Sequence, residues 1–136
     1  MVTQLNWINH YWQLEEEISE IEWDIEKSNL EFKRWNEHGD LFNKNSFQVS
    51  LENQIRVIHS IQDLEGLLVE KKNLKAKLLE RIETFKGLDN QILKMKYIDC
   101  MTLEQIAEEL KYSASHIRKR HAEIKRMDKY AESLRG

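Results

Sequence analysis

Apolar residues recur without a break, at alternating spacings of four and three, from Trp7 to Trp35. The positions are Trp7, Tyr11, Leu14, Ile18, Ile21, Ile25, Ser28, Phe32 and Trp35, and only Ser28 among them is polar. This repeat is the heptad pattern of helices that pack side by side in coiled coils. It predicts one helix over about residues 4–36, roughly 50 Å long at 1.5 Å per residue. Because only one stripe of such a rod is apolar, a partner helix must cover it.

The composition favours helices throughout. The chain of 136 residues has no proline and only four glycines, which leaves little turn chemistry for an all-β fold or for glycine-rich nucleotide loops. We therefore predict an all-α protein. One cysteine, Cys100, permits no internal disulfide, and no run of about 18 apolar residues or secretory signal is present. These features predict a cytoplasmic protein without a membrane partner.

A second helical pattern follows a polar segment at residues 36–46, which we interpret as a linker. The pattern begins near Ser50 and is nearly as long as the first helix, so it can return along the first rod. Its apolar positions are Leu51, Ile55, Ile58, Ile61, Leu64, Leu68, Leu78, Ile82 and Phe85. Two long helices joined by about ten residues fold back most simply as an antiparallel pair. We predict that residues 1–86 form a long, coiled-coil-like antiparallel helical hairpin that serves in dimerisation or partner binding.

The predicted hairpin has more apolar residues than one seam can bury. A second row includes Ile8 and Trp12, and Trp23 and Leu30 have no assigned partner. Such a surplus favours association of two hairpins into a four-helix bundle, that is, a homodimer. The predicted dimerisation residues are Trp7, Tyr11, Leu14, Ile18, Ile21 and Ile25. Packing of the surplus against the C-terminal part of the same chain is the alternative.

The formal net charge of −3 hides an asymmetry between the two halves. Residues 1–65 have 5 basic and 13 acidic side chains, whereas residues 66–136 have 16 basic and 11 acidic ones. Within residues 111–130 there are seven Lys or Arg and two acids. A polyanion is therefore expected to bind near the C-terminal end.

The residues after Lys86 change to short helical segments, which we assign to a second domain, residues 87–136. Asp89 is a candidate N-cap for a helix that includes residues 91–98. Thr102 and Gln105 have the spacing of a capping box, which predicts a helix from residue 103 to Leu110. Residues 111–113 then form a turn, and Ser113 is the predicted N-cap of a basic helix.

A capped helix of eight residues, a three-residue turn and a basic helix are the arrangement of a helix-turn-helix. Small Ala107 is expected where the two helices cross most closely. Lys111 stands where such turns usually have glycine, so we expect its φ to be positive at a cost of roughly 1 kcal/mol. The basic helix is the third helix of the C-terminal domain. On it, Ala114, Ile117, His121 and Ile124 recur on one face, and Ser115, Lys119, Ala122 and Arg126 lie on the opposite one.

Two segments of the predicted helix-turn-helix resemble known protein families. Residues 88–126, with the segment Thr102-Leu103-Glu104-Gln105-Ile106-Ala107-Glu108-Glu109-Leu110, resemble region 4 of the bacterial sigma-70 family. The segment Tyr112-Ser113-Ala114-Ser115-His116-Ile117-Arg118-Lys119-Arg120-His121 resembles small phage and prophage regulators of about this length, related to the ArpU and RinA-type proteins that control late phage transcription. In those regulators a helical N-terminal half precedes an end similar to sigma region 4.

The resemblance implies that the third helix enters the major groove of double-stranded DNA in a bacterial host cell. The implied base contacts are Ser115, His116 and Lys119. The implied phosphate contacts are Ser113, Arg118, Arg120, Lys125 and Arg126. The chemistry agrees, because lysine and arginine donate to guanine edges and the N-terminus of a helix attracts a phosphate. A merely solvated basic face is the alternative interpretation.

No pattern in the chain indicates catalysis or metal binding. His116 and His121 are five residues apart and point in different directions, and His10, His38 and His59 are isolated. No phosphate loop, dinucleotide fingerprint or catalytic triad is present. We expect no enzymatic activity, no metal, no cofactor and no small-molecule substrate.

The leading hypothesis is a dimeric, sequence-specific transcription regulator that activates phage or prophage late genes. RNA polymerase is its candidate protein partner. The alternative is a helical interaction or adaptor protein whose acidic coiled-coil half binds another protein. A third hypothesis is the DNA-recognition subunit of a packaging machine, although such proteins normally place the DNA-binding motif first.

Overall fold

The computed structural model describes residues 6–135, and every regular element in that span is an α-helix. The fold class is therefore all-α, as the composition and periodicity predict. The helices are α1 (Asn6–Trp35), α2 (Asp40–Lys44), α3 (Phe47–Glu83), α4 (Leu88–Tyr97), α5 (Leu103–Leu110) and α6 (Ala114–Arg135). None of these described helices is long and apolar enough to cross a membrane. The predicted start of the first helix, at about residue 4, lies outside the described residues.

The segment predicted as a linker contains a short helix of its own, α2. The Arg34 guanidinium donates to both carboxylate oxygens of Asp40, at 3.0 Å each, which ties the start of α2 to the end of α1. Gly39 precedes α2, and a Cβ at this position would collide with the backbone carbonyl oxygens of Lys33 and Arg34. The turn therefore requires glycine at residue 39. The composition of residues 36–46 indicated the break in periodicity but not the helix within it.

The chain divides into two compact units. The terminal unit consists of the described residues up to Gln13 together with those from Lys77 onward, and the middle unit is Leu14–Ala76. The domain boundary predicted between residues 86 and 87 falls inside the terminal unit. The reason lies in packing, because Leu78, Leu79 and Ile82 of the last turns of α3, and Phe85 just after that helix, pack in one cluster with Leu93 of α4 and Ile124 of α6.

The terminal unit has a core of two apolar clusters. Trp7, Ile8, Ile82, Leu93 and Ile124 form the first one, and Ile92, Ile106, Ala107 and Ile117 form the second. Burying large apolar side chains is the main favourable term in folding. Helix α4 contributes Leu93 to the first cluster and Ile92 to the second. It therefore joins α5 and α6 to the start of α1 and the last turns of α3. The alternative that the apolar surplus near residue 8 packs on the C-terminal part of the same chain agrees with the place of Ile8 in this core.

The middle unit brings α1 and α3 together along a seam that is partly polar. Ile18, Ile21 and Val57 are buried there, as is the hydroxyl of Ser50. The inward positions of α3 are Ser50, Gln54, Val57, Ile61, Leu64 and Leu68, whereas Leu51, Ile55 and Ile58 from the predicted stripe are exposed. The predicted stripe was wrong over this stretch. From Ile55 to Leu64 the predicted stripe takes three successive steps of three residues. At about 100° per residue these steps leave Leu64 about half a turn around the helix from Ile55, so the predicted stripe joins two different faces of α3.

Polar contacts across this seam follow a regular order. Glu15 pairs with Lys75, and Glu17 pairs with Lys71 at 2.9 Å. Near the other end, Glu31 pairs with Arg56 at 2.5 Å, and the carbonyl of Trp35 accepts from Gln54 at 2.8 Å. Partner numbers on α3 fall as those on α1 rise. Lys71 and Lys75, which lie between Leu68 and Leu78 of the predicted apolar pattern, thus pair with carboxylates on α1.

The six predicted dimerisation residues lie on the inward face of α1. Trp7, Ile18 and Ile21 are buried within the single chain, and Tyr11, Leu14 and Ile25 are half-buried. Their burial is already accounted for by residues of the same chain. A contact of these residues with a second copy stays a prediction, since one chain alone does not test it.

Candidate nucleic-acid interface

Helix α5 begins with a complete capping box. The Thr102 hydroxyl accepts from the backbone N–H of Gln105 at 3.1 Å, and the Gln105 side chain accepts from the backbone N–H of Thr102 at 2.9 Å. Two amides that a helix start would leave unsatisfied are therefore bonded. This cap confirms the predicted start, and α5 ends at Leu110 as predicted.

A tight turn connects α5 to α6. Lys111 has φ 62° and ψ 42°, which confirms the predicted left-handed conformation. The backbone N–H of Tyr112 donates to the carbonyl of Ala107 at 2.9 Å, and that of Lys111 donates to the carbonyl of Glu108 at 3.3 Å. These are the two bonds of a Schellman motif, which satisfies the last carbonyls of α5. The motif compensates for the strain of a lysine at this position.

Helix α6 begins with a serine cap. The Ser113 hydroxyl accepts from the backbone N–H of His116 at 3.1 Å, which confirms Ser113 as the predicted N-cap. Behind the turn, Ile106 and Ala107 of α5 pack in one cluster with Ile117 of α6. Ala107 is 3% exposed, so a larger side chain there would have to displace one of the helices. The cluster thus fixes α6 against α5.

The two faces of α6 differ sharply in character. Ile117, His121 and Ile124 are buried, whereas Ser115, Lys119 and Arg126 are exposed. At about 100° per residue, the exposed residues lie on the side of α6 opposite the buried ones. We call this surface, formed by Ser115, Lys119, Ala122 and Arg126, the outer face of α6. It presents a hydroxyl, an ammonium and a guanidinium group to solvent from a rigid element.

Asp89 does not cap α4, so that prediction was wrong. The N-cap position is Gly87, whose φ of 98° and ψ of 150° favour glycine, and no side chain caps the helix. Asp89 instead lies in the first turn of α4, where a carboxylate interacts favourably with the helix dipole. Its two oxygens accept from the Arg120 guanidinium at 2.5 and 2.6 Å.

Arg120 is held by two carboxylates at once. Besides its two bonds to Asp89, it donates from Nη1 to Glu123 at 2.7 Å. Hydrogen bonding and the charge of Asp89 raise the pKa of Arg120 above its ordinary value. For Arg120 to contact a phosphate, as the sequence predicts, its guanidinium would have to leave these partners. In this structure it fixes the orientation of α6 relative to α4.

The other predicted contact residues surround the outer face of α6. Lys125 is exposed on one flank. Arg118, on the same flank, donates from Nε to the carbonyl of Ala114 at 3.3 Å and lies 3.9 Å from a carboxylate oxygen of Glu104. His116, on the other flank, stacks on Tyr112 with ring centroids 5.2 Å apart. The stack restricts the imidazole to one side of the N-terminus of α6.

His121 links α6 to α4 from inside the unit. Its Nε2 lies 2.9 Å from the Tyr97 hydroxyl, and the two rings stack at 5.8 Å. Burial lowers the pKa of His121, and the nearby charges of Lys125 and Lys96 lower it further. His121 is therefore buried and hydrogen-bonded, on the face of α6 where its spacing places it with Ile117 and Ile124.

Sequence reasoning missed two partners of the predicted site residues. Asp89 and Arg120 are 31 residues apart, and nothing in a single sequence connects them. Tyr112 immediately precedes Ser113, and its spacing of four from His116 on a helix start could have indicated the stack. Both partners restrict side chains that the resemblance assigned to DNA contacts.

Among the described residues, no group of three or more His, Cys, Asp or Glu could hold a metal ion. Comparisons with family models, curated proteins and solved structures give no match for this chain.

Proposed function

We propose that the chain is a sequence-specific DNA-binding regulator that reads the major groove with α6. In this proposal α5, the turn and α6 act as a helix-turn-helix, and α1 with α3 forms the antiparallel hairpin. The order of the contacts from Glu15–Lys75 to Trp35–Gln54 supports the hairpin. The capping box, the turn and the Ala107 crossing support the helix-turn-helix.

The observation that carries the proposal is the outer face of α6. Ser115, Lys119 and Arg126 are exposed on one side of a helix whose other side is fixed in the core. A helix of this width fits the major groove, where lysine and arginine donate to guanine O6 and N7. The surroundings are basic, since Arg118 and Lys125 are exposed on a flank. A solvated face would need neither the rigid presentation nor this concentration of cations.

The test measures binding of the full chain to labelled mixed-sequence duplex DNA by fluorescence anisotropy at several salt concentrations. We expect the parent affinity to fall steeply with salt, since each released phosphate counterion contributes about 0.9 to the slope. Replacing Lys119 and Arg126 together by alanine should weaken binding at least about tenfold and flatten the slope by about one, because Arg126 is the one implied phosphate contact of the two.

The matched control removes the same two kinds of charge elsewhere. Lys72 and Arg81 are exposed on α3, so their double alanine variant has the same net charge as the test variant. Binding by this control should stay within about threefold of the parent. If both variants lose affinity equally, the net charge of the chain determines DNA binding wherever the cations lie, and the assignment of α6 is wrong.

On the basis of the resemblance to late phage regulators, we further propose that the chain activates phage or prophage genes together with RNA polymerase. Selection of bound sequences from a random duplex pool gives the operator. Footprinting on that operator, with and without the polymerase of the host, then tests the partnership. Protection that extends over the promoter only when both proteins are present supports it. Independent footprints that do not influence each other's affinity contradict it.

A further inference from the structure

Helix α3 has a second row of apolar side chains beside its inward seam. Phe47, Leu51, Ile55 and Ile58 are 70, 43, 47 and 39% exposed. Leu51, Ile55 and Ile58 each follow an inward residue by one position, which turns them about 100° away from α1. The row continues through exposed Gln62 and Gly66. These six residues are called the outer stripe of α3.

The spacing of the outer stripe is the same in both chain directions. Its positions 47, 51, 55, 58, 62 and 66 are separated by steps of four, four, three, four and four. A two-fold axis between residues 55 and 58 would therefore pair two antiparallel copies of the stripe in register. Ile55 meets Ile58 of the second copy, Leu51 meets Gln62, and Phe47 meets Gly66. A two-fold interface requires such self-complementarity, because residue i contacts j and residue j contacts i.

The outermost layer of this pairing matches a large side chain with an empty space. Phe47 is the most exposed large apolar residue among those described, at 70%. A Cβ added at Gly66 would meet nothing within 4 Å, so no neighbour in the same chain explains this glycine. Glycine is a poor helix former and costs ~1 kcal/mol relative to alanine inside a long helix. The ring of Phe47 from a second copy would occupy the space above Gly66.

The charges near the outer stripe permit self-association. None of the six stripe positions is charged. Arg56, on the far side, is already paired with Glu31 of its own chain at 2.5 Å. The same two-fold axis brings Glu52 of one copy within about one helical turn of His59 of the other. Two copies can therefore meet without burying like charges against each other.

We propose that the chain forms a homodimer in which the outer stripes of two copies pack antiparallel about this two-fold axis. The second copy supplies the apolar cover that the middle unit lacks. This assignment uses α3 instead of the predicted residues of α1, which are engaged within their own chain. It does not depend on the proposed DNA binding, since no stripe residue belongs to α5 or α6.

Sedimentation equilibrium of the full chain over a range of concentrations tests the interface. Ile58→Lys places a charge in the central layer and should raise the dimer dissociation constant at least about 100-fold. Leu67→Lys is the matched control, because Leu67 has the same exposure of 39%. It lies nine residues further along, two and a half turns away, on the opposite face of α3. Its dissociation constant should stay within about threefold of the parent.

A second variant tests the outermost layer without adding charge. Gly66→Leu fills the space into which Phe47 of the second copy would insert, so it should weaken the dimer at least about tenfold. A parent chain that remains monomeric, or a dimer weakened by Leu67→Lys but not by Ile58→Lys, overturns the proposal. So does a Gly66→Leu dimer as strong as the parent.

The relative direction of the two copies needs its own measurement. In a Cys100→Ser background, chains with Ile55→Cys are mixed with chains with Ile58→Cys and oxidised gently. The antiparallel arrangement predicts disulfides between the two different chains, because residue 55 faces residue 58. Disulfides that join only identical chains would mean a parallel pair and would overturn the proposed axis.

Discussion

The terminal unit and the middle unit are similar in length but bury apolar side chains to very different extents. Among the described residues, nine apolar side chains are buried in the terminal unit and three in the middle unit. Large apolar side chains that stay exposed show the reverse distribution, with three in the terminal unit and ten in the middle unit. The terminal unit therefore has a core of its own, whereas the middle unit leaves apolar surface for a partner.

The difference follows from how many neighbours each helix has. In the terminal unit the short helices α4, α5 and α6 contact one another, so a side chain such as Ile92 is enclosed on all sides. In the middle unit two rods can bury only one stripe each. Part of that stripe is polar, with Ser28, Ser50 and Gln54 at inward positions. Burial of the hydroxyl of Ser50, which has no hydrogen-bond partner, further weakens this seam.

The largest expected effect comes from core truncation in the terminal unit. Ile106 is 0% exposed in the cluster behind α6, so Ile106→Ala should lower the free energy of unfolding by about 3 kcal/mol. Leu67→Ala in the middle unit removes a side chain that is 39% exposed and should cost less than about 1 kcal/mol. Urea denaturation at one fixed protein concentration measures both. Equal costs would show that the middle unit is as well packed as the terminal one.

A smaller effect is expected from the ion pairs of the two units. Asp89→Asn breaks a two-bond pair whose side chains are 19 and 31% exposed, and it should cost about 1–2 kcal/mol. Glu31→Gln breaks the pair with Arg56, whose side chains are 39 and 55% exposed, and it should cost about 0.5 kcal/mol or less. Urea denaturation at low and high salt measures both losses in the free energy of unfolding. High salt should reduce the loss for Glu31→Gln more than that for Asp89→Asn, since salt screens the more exposed ion pair more strongly. A larger loss for Glu31→Gln would reverse the comparison.

The sequence predicted the terminal unit better than the middle unit, for a local reason. The caps at Thr102 and Ser113 and the strained Lys111 each depend on residues at most a few positions apart, which a single sequence displays. The inward face of α3 depends instead on which of two neighbouring apolar rows meets α1. Because Leu51 and Val57 are equally apolar, periodicity alone could not choose between their rows.

The candidate site shows the same limit. The outer face of α6 followed from a 3.6-residue period within one helix. The partner of Arg120 did not, because Asp89 lies on another helix 31 residues away. Sequence reasoning could place a cation on α6 but could not show that the cation was already paired. Long-range polar contacts of this kind require the tertiary structure.

The pH dependence of stability distinguishes the cores of the two units. The terminal unit encloses a titratable group, His121, whereas the buried polar residue of the middle unit is Ser50. Because burial lowers the pKa of His121 in the folded chain from the ordinary value of 6.5, the unfolded chain takes up the proton first as the pH falls. The free energy of unfolding should therefore decline as the pH drops below about 6.5 and stop declining once the folded histidine is also protonated. His121→Gln removes this titration, so its stability relative to the parent should be constant above pH 7.5 and should improve toward pH 5 in urea denaturation. A relative stability that does not change with pH would mean that the proton binds the folded and unfolded chains equally, and that His121 is not enclosed by the core of the terminal unit.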